Sequence, residues 1–208
     1  MKIAVFGGTF DPVHRGHTGP GRFLLDSGRA EKVLYLPAWC PPHKGPERVT
    51  PYVHRRAMLA LALDPDMEIS DLEKERSGKS YTIDTLKVLT ERHASDTFFW
   101  VVGADGLRNL HTWHRAEELV RGYSFLVLPR PGEAMPDREE LERHWPGDLI
   151  GKLLSFVVEG APLFAGSSTE IRREIARGRT ESVERFLAPA VLDYIRQHKL
   201  YSEERKNE

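Results

Sequence analysis

Two stretches of the chain hold residue types suited to gathering phosphate. Gly7-Gly8-Thr9-Phe10-Asp11-Pro12-Val13-His14-Arg15-Gly16-His17 follows an apolar run and leads into helical sequence. Paired glycines let the backbone approach a bulky anion, and free N–H groups at a helix start offer it a partial positive charge. His14 and His17 are three apart, a spacing that on a first helical turn points both rings at one ligand. The second stretch, Ser167-Ser168-Thr169-Glu170-Ile171-Arg172, sets hydroxyls and an acid at a helix start. Taken alone it reads as a capping box. Arg172, however, is a cation near a helix N-terminus, a placement the helix dipole disfavours until an anion arrives. The chemistry on offer is stabilisation of phosphate charge. No Gly-Lys-Ser/Thr follows the glycines and no Gly-x-Gly-x-x-Gly is present, so neither the P-loop nor the dinucleotide fingerprint applies.

Residues of this kind need strands that end beneath them. Residues 3–6, stopped by Gly7-Gly8, and 32–36, stopped by Pro37, read as buried parallel strands. Further strands are expected at 67–70, 97–102, 123–128 and 155–158. Helices are expected within 16–30, where Gly19-Pro20-Gly21 should kink or delay the start. A second covers 51–63, capped by Thr50, with Val53, Ala57, Ala60 and Leu61 as its apolar stripe. Others fall at 82–93, with Ile83, Leu86 and Leu89 on one face, in part of 107–121, at 169–176 and at 189–197. This alternation implies an α/β fold: a Rossmann-like, doubly wound parallel sheet with helices on both faces and a small C-terminal helical part. Ligands of such sheets sit beyond the carboxyl ends of the strands. Residues 1–201 read as a single domain, with a polar, insertion-like connection at 129–147 and a charged tail at 202–208.

Composition narrows the setting. The 208 residues are 40% hydrophobic and 29% charged, a globular balance. With 30 Lys and Arg against 31 Asp and Glu, no global charge draws the chain to nucleic acid or a membrane. Cys40 is the only cysteine, which excludes an internal disulfide and a thiolate metal site. With no long apolar run at the N-terminus, the expected location is cytoplasmic. A homo-oligomer is left open.

The first stretch resembles the signature of the HIGH-motif nucleotidyltransferases, and Ser167 to Arg172 resembles their C-terminal phosphate-binding motif. Pro41-Pro42-His43-Lys44, Ser80-Tyr81-Thr82-Ile83-Asp84-Thr85-Leu86, Gly103-Ala104-Asp105, Trp113-His114-Arg115 and Pro129-Arg130-Pro131-Gly132 sharpen the likeness to the bacterial nicotinate-nucleotide adenylyltransferases. The resemblance implies the nucleotidyltransferase fold and a reaction of NAD biosynthesis, joining ATP and nicotinate mononucleotide to give deamido-NAD and pyrophosphate. It assigns catalysis to His14, His17, Lys44 and Arg172. It assigns ATP contacts to Gly7, Gly8, Thr9, Phe10, His14, His17, Gly103, Asp105, Ser167, Ser168, Thr169 and Arg172. Lys44, Tyr81, Thr82, Asp84, Trp113 and His114 fall to the mononucleotide, Trp113 by stacking on its pyridine. Mg²⁺ enters with the ATP phosphates and needs no protein metal site. Gly166 stands where the family usually has an aliphatic residue, an expectation of a more mobile loop. The alternatives are another phosphate acceptor, nicotinamide mononucleotide or phosphopantetheine, and a nucleotide sensor without catalysis.

Overall fold

A computed structural model describes residues 1–41, 49–76 and 79–202. Its centre is a five-stranded, wholly parallel sheet in the order β3-β2-β1-β4-β5, formed by β1 (Lys2–Gly8), β2 (Lys32–Pro37), β3 (Met67–Ile69), β4 (Thr97–Gly103) and β5 (Ser124–Leu128). The strands read as unbroken apolar runs because both faces are covered. Along β1, Ile3 and Val5 face one core while Ala4 and Phe6 face the other. The first core takes Leu86 and Leu89 from α4 (Thr82–Arg92), Leu119 from α6 (Ala116–Gly122) and Leu149, Ile150 and Leu153 from α8 (Gly147–Ser155). The second takes Leu24 from α1 (Arg15–Asp26), Met58 and Leu59 from α2 (Tyr52–Ala62), Ile171 from α9 (Ser168–Ala176) and Val191, Leu192 and Ile195 from α10 (Pro189–Gln197). Short helices α3 (Leu72–Glu75), α5 (Ala104–Asn109) and α7 (Arg138–Glu142) complete the set.

The topology fixes where a ligand goes. From β1 the chain winds outward through β2 to β3, then returns to the far side of β1 for β4 and β5. At that reversal the loops leaving β1 and β4 part and open a crevice between them.

Several sequence expectations change. The strand at 155–158 does not form: α8, with buried Leu149, Ile150 and Leu153 at helical spacing, runs to Ser155. The next three residues meet β5 in one isolated parallel bridge, Val157 opposite Val127, in which the Val127 N–H donates to the Phe156 carbonyl at 2.8 Å and the Val158 N–H to the Val127 carbonyl at 2.9 Å. Gly19-Pro20-Gly21 neither delays nor stops α1, which starts at Arg15 and carries Pro20 inside. The flanking glycines have a packing reason: a Cβ at 19 would stand 2.6 Å from the Phe164 ring, and one at 21 would overlap the Tyr35 hydroxyl. In α2 the expected stripe faces outward, with Val53 66% and Leu61 44% exposed. The buried face is Arg55, Met58 and Leu59, and Pro51, not Thr50, occupies the cap position. Residues 129–147 hold α7 and place Leu141 and Trp145 in the core. No helix among the described residues is long and apolar enough to cross a membrane.

Candidate active site

The loop leaving β1 is held from beneath by a single buried cation. Arg55, 1% exposed, donates from Nε to the Thr50 carbonyl, from Nη1 to Thr9 and from Nη2 to Ala38, each at 2.8 Å. One planar fork thereby ties the β1 loop, the β2 loop and the entry to α2. Burial pushes the Arg55 pKa down, opposed first by the Asp11 charge. The buried Asp11 carboxylate accepts the Thr50 N–H at 3.1 Å and the Tyr201 hydroxyl at 2.6 Å. Phe10 adopts a left-handed φ of 50°, which turns its buried ring edge-on to His17, with centroids 5.1 Å apart.

His14 and His17 form the start of α1 between them. His14 is the N-cap: its Nδ1 accepts the Gly16 N–H at 3.1 Å, and its own N–H donates to His17 Nδ1 at 3.3 Å. The two rings stack with centroids 3.8 Å apart. They are not equivalent. His17 lines a cavity, whereas His14 is 3% exposed and burial, aided by the Arg130 charge, lowers its pKa to about 4. His14 is thus neutral, and its cap bond requires a lone pair on Nδ1. His17 Nδ1 likewise accepts, which places the proton of its neutral ring on Nε2.

The second stretch docks onto the first. Ser168 Oγ donates to the Pro12 carbonyl at 2.9 Å and Arg172 Nη1 to the Asp11 carbonyl at 2.6 Å. Ser167 caps α9 by accepting the Glu170 N–H at 3.4 Å, and Arg172 reaches Thr169 Oγ1 at 3.4 Å. Gly166 has φ 142° and lies directly on the His14 imidazole. Contact with His14 leaves no room there for a side chain.

Two cavities meet at Gly7, Trp100 and Trp113, residues that line both. The smaller, about 260 Å³, is walled by His17, Gly103, Asp105, Arg130 and Phe10. There Arg130 pairs with Asp105 at 2.7 Å. The larger, about 580 Å³, is walled by Gly8, Thr9, Glu73, Lys79, Tyr81, Thr82 and His114. Tyr81 and His114 stack with centroids 4.3 Å apart. Helix α4 begins in this wall, and Tyr81 at its cap position makes no side-chain bond to the first-turn N–H groups, which suits that end to an anion. Gly7 is required at the junction, since a Cβ there would overlap the Trp100 ring.

The sequence-predicted residues therefore divide. His17, Gly7, Phe10, Gly103 and Asp105 surround the smaller cavity, and Gly7, Gly8, Thr9, Tyr81, Thr82, Trp113 and His114 the larger. His14, Ser168 and Arg172 brace the loop between them. Asp84 lines neither and pairs with Arg76 at 3.4 Å. Lys44 lies outside the described residues, as does most of its Pro-Pro-His-Lys segment. Arg55, Glu73, Trp100 and Arg130 were not among the predicted site residues. An arginine amid apolar helix residues was the one signal available for Arg55.

Comparison with known proteins agrees with this geometry. The cytidylyltransferase-like family model matches residues 5–174. Probable nicotinate-nucleotide adenylyltransferases of Synechococcus sp. and Geobacillus kaustophilus are 37% and 39% identical over 204 residues, covering 96% of this chain and 96% and 86% of theirs. Among solved structures, Plasmodium falciparum nicotinic acid mononucleotide adenylyltransferase complexed with NaAD superposes with TM-score 0.73 at 21% identity, covering 96% of this chain and 97% of that one. The same enzyme complexed with APC gives 0.71. A parallel sheet opening at its reversal, a histidine-capped loop and relatives alike over nearly their whole length together establish that the chain belongs to the cytidylyltransferase-like family and, within it, to the nicotinate-nucleotide adenylyltransferases.

Proposed function

We propose that the chain transfers the adenylyl group of ATP to nicotinate mononucleotide, releasing pyrophosphate and forming deamido-NAD for NAD biosynthesis. The observation that carries this reading is the pair of cavities sharing Gly7, Trp100 and Trp113 beside the histidine-capped start of α1. Two nucleotides bound there would bring their phosphates together over that loop. ATP takes the smaller cavity and the mononucleotide the larger, its pyridine on Trp113 and its carboxylate toward the first-turn N–H groups of α4. Those donors complement an acid better than an amide, the basis for preferring nicotinate.

The nucleophile is a phosphate oxygen of the mononucleotide, already an anion. It attacks the α-phosphorus of ATP as the bond to the bridging oxygen breaks, and pyrophosphate leaves with the charge. No protein nucleophile and no covalent intermediate are needed. Positioning and charge stabilisation by the α1 start, His17 and Arg172 supply the rate. Lys44 joins them on the resemblance alone. The described residues include no group of three His, Cys, Asp or Glu side chains placed to hold a metal ion. Mg²⁺ would be held by phosphate oxygens, whose charge it neutralises. We read residues 1–201 as one catalytic domain working in the cytoplasm on small molecules.

Pyrophosphate release from ATP tests this reading, with nicotinate mononucleotide, nicotinamide mononucleotide and phosphopantetheine as paired acceptors. The acid should turn over fastest. Faster release with either rival reassigns the acceptor, and no release with any removes the enzyme reading.

A further inference from the structure

Two carboxylate oxygens among the described residues are buried without a hydrogen-bond partner, Asp105 Oδ1 and Glu73 Oε2. Each belongs to a residue in the wall of a different cavity: Asp105 in the smaller, Glu73 in the larger. The partner oxygen of each is engaged, by Arg130 at 2.7 Å for Asp105 and by the Thr85 hydroxyl at 3.2 Å for Glu73. Glu73 is 5% exposed. A buried carboxylate oxygen left unbonded is costly, so a residue of this kind in a cavity wall calls for a donor from the ligand.

We propose that Glu73 accepts a ribose hydroxyl of the acceptor nucleotide. The inference rests on the reading of the larger cavity as the mononucleotide site. Nicotinate mononucleotide limits the choice. Its phosphate and ring carboxylate are anions near neutral pH, its pyridinium nitrogen bears no hydrogen, and only the two ribose hydroxyls donate. An unbonded carboxylate oxygen accepts, so the sugar hydroxyls are the part of the ligand it can serve. Burial raises the Glu73 pKa against the pull of the Ser80 and Thr85 hydroxyls, the Arg76 charge and the Trp39 N–H. A ribose donor adds to that pull and favours the charged form.

A double cycle tests the contact: the intact chain and its Glu73→Gln and Glu73→Met variants, each with nicotinate mononucleotide and its 2′-deoxy and 3′-deoxy analogues. With the unaltered chain, removing the bonded hydroxyl should cost about tenfold or more in kcat/KM. In Glu73→Met that penalty should shrink to about threefold or less, with the KM for ATP unchanged, whereas Glu73→Gln, whose amide oxygen still accepts, should keep part of it. A deoxy penalty in Glu73→Met equal to that of the unaltered chain, or none in the unaltered chain, overturns the proposal and leaves Glu73 a structural residue. Glu73→Ala, which also lacks an acceptor, decides the matter if Glu73→Met does not fold. No turnover of nicotinate mononucleotide by the unaltered chain would instead sink the functional reading, and this contact with it.

Discussion

Gly166 presses so closely on His14 that a Cβ at residue 166 would stand 2.6 Å from Nδ1 of the imidazole. Its φ of 142° is also one that other residues avoid. Gly166→Ala should therefore cost about 1–3 kcal/mol of stability through strain and collision. Turnover should fall about tenfold or more as the ring shifts off the α1 cap. Denaturant unfolding and a turnover assay check the two effects, and normal values for both would show that the contact constrains nothing.

The buried His14 makes the ligand-free protein sensitive to acid. Its folded pKa of about 4 lies below the ordinary value of 6.5, so the unfolded chain takes up this proton first as pH falls. The associated stability is complete above pH 6.5 and is lost between 6.5 and about 4, at most about 3 kcal/mol. His14→Asn keeps a side-chain acceptor for the Gly16 N–H but cannot titrate. The difference in unfolding free energy between the two proteins should narrow across that window, and a constant difference would count against a depressed His14.

Arg55→Met should be among the most destabilising changes at the site. It removes the donors to three carbonyls in one step and leaves Asp11 without its nearby cation. A loss of about 3–5 kcal/mol is expected, as for removing one member of a buried charged network. Folded Arg55→Met protein should also turn over more slowly, because the Thr9 loop is no longer held against Ala38. A loss under about 1 kcal/mol would mean that water replaces the guanidinium without penalty.

Trp113 forms part of both cavity walls, so Trp113→Ala should weaken both substrates unequally. The KM for the mononucleotide should rise about tenfold, from lost stacking on its pyridine, and that for ATP by less. Steady-state kinetics with each substrate varied in turn separates the two. A larger effect on ATP would place the pyridine elsewhere.

Much of the frame is legible in the sequence. The runs closed by Gly7-Gly8, Pro37 and Gly103 became β1, β2 and β4, and α10 occupies Pro189–Gln197 as expected, because apolar runs and proline positions are local signals. What failed was decided by tertiary contact. The outward stripe of α2 is more apolar than its inner face, since that inner face carries the guanidinium on which the loops are hung. Residues 155–158 hold enough apolar character for a strand, but α8 runs on to Ser155 and the three residues after it form a single bridge. At the site, the glycines and histidines announced themselves by spacing. Glu73 and Arg130 did not, because a charged residue becomes part of a cavity wall only when folding sets it beside distant chain.

The loop from Gly7 to His17 is made first and fastened last. Its clasps arrive far downstream: the bonds from Ser168, Arg172 and Tyr201 close over 156, 161 and 190 positions of chain. A nascent chain thus carries its phosphate cradle early, with Asp11 held by the Thr50 N–H alone until Tyr201 arrives. Closing that loop completely is therefore a long-range event, one that its own neighbourhood in the chain does not accomplish.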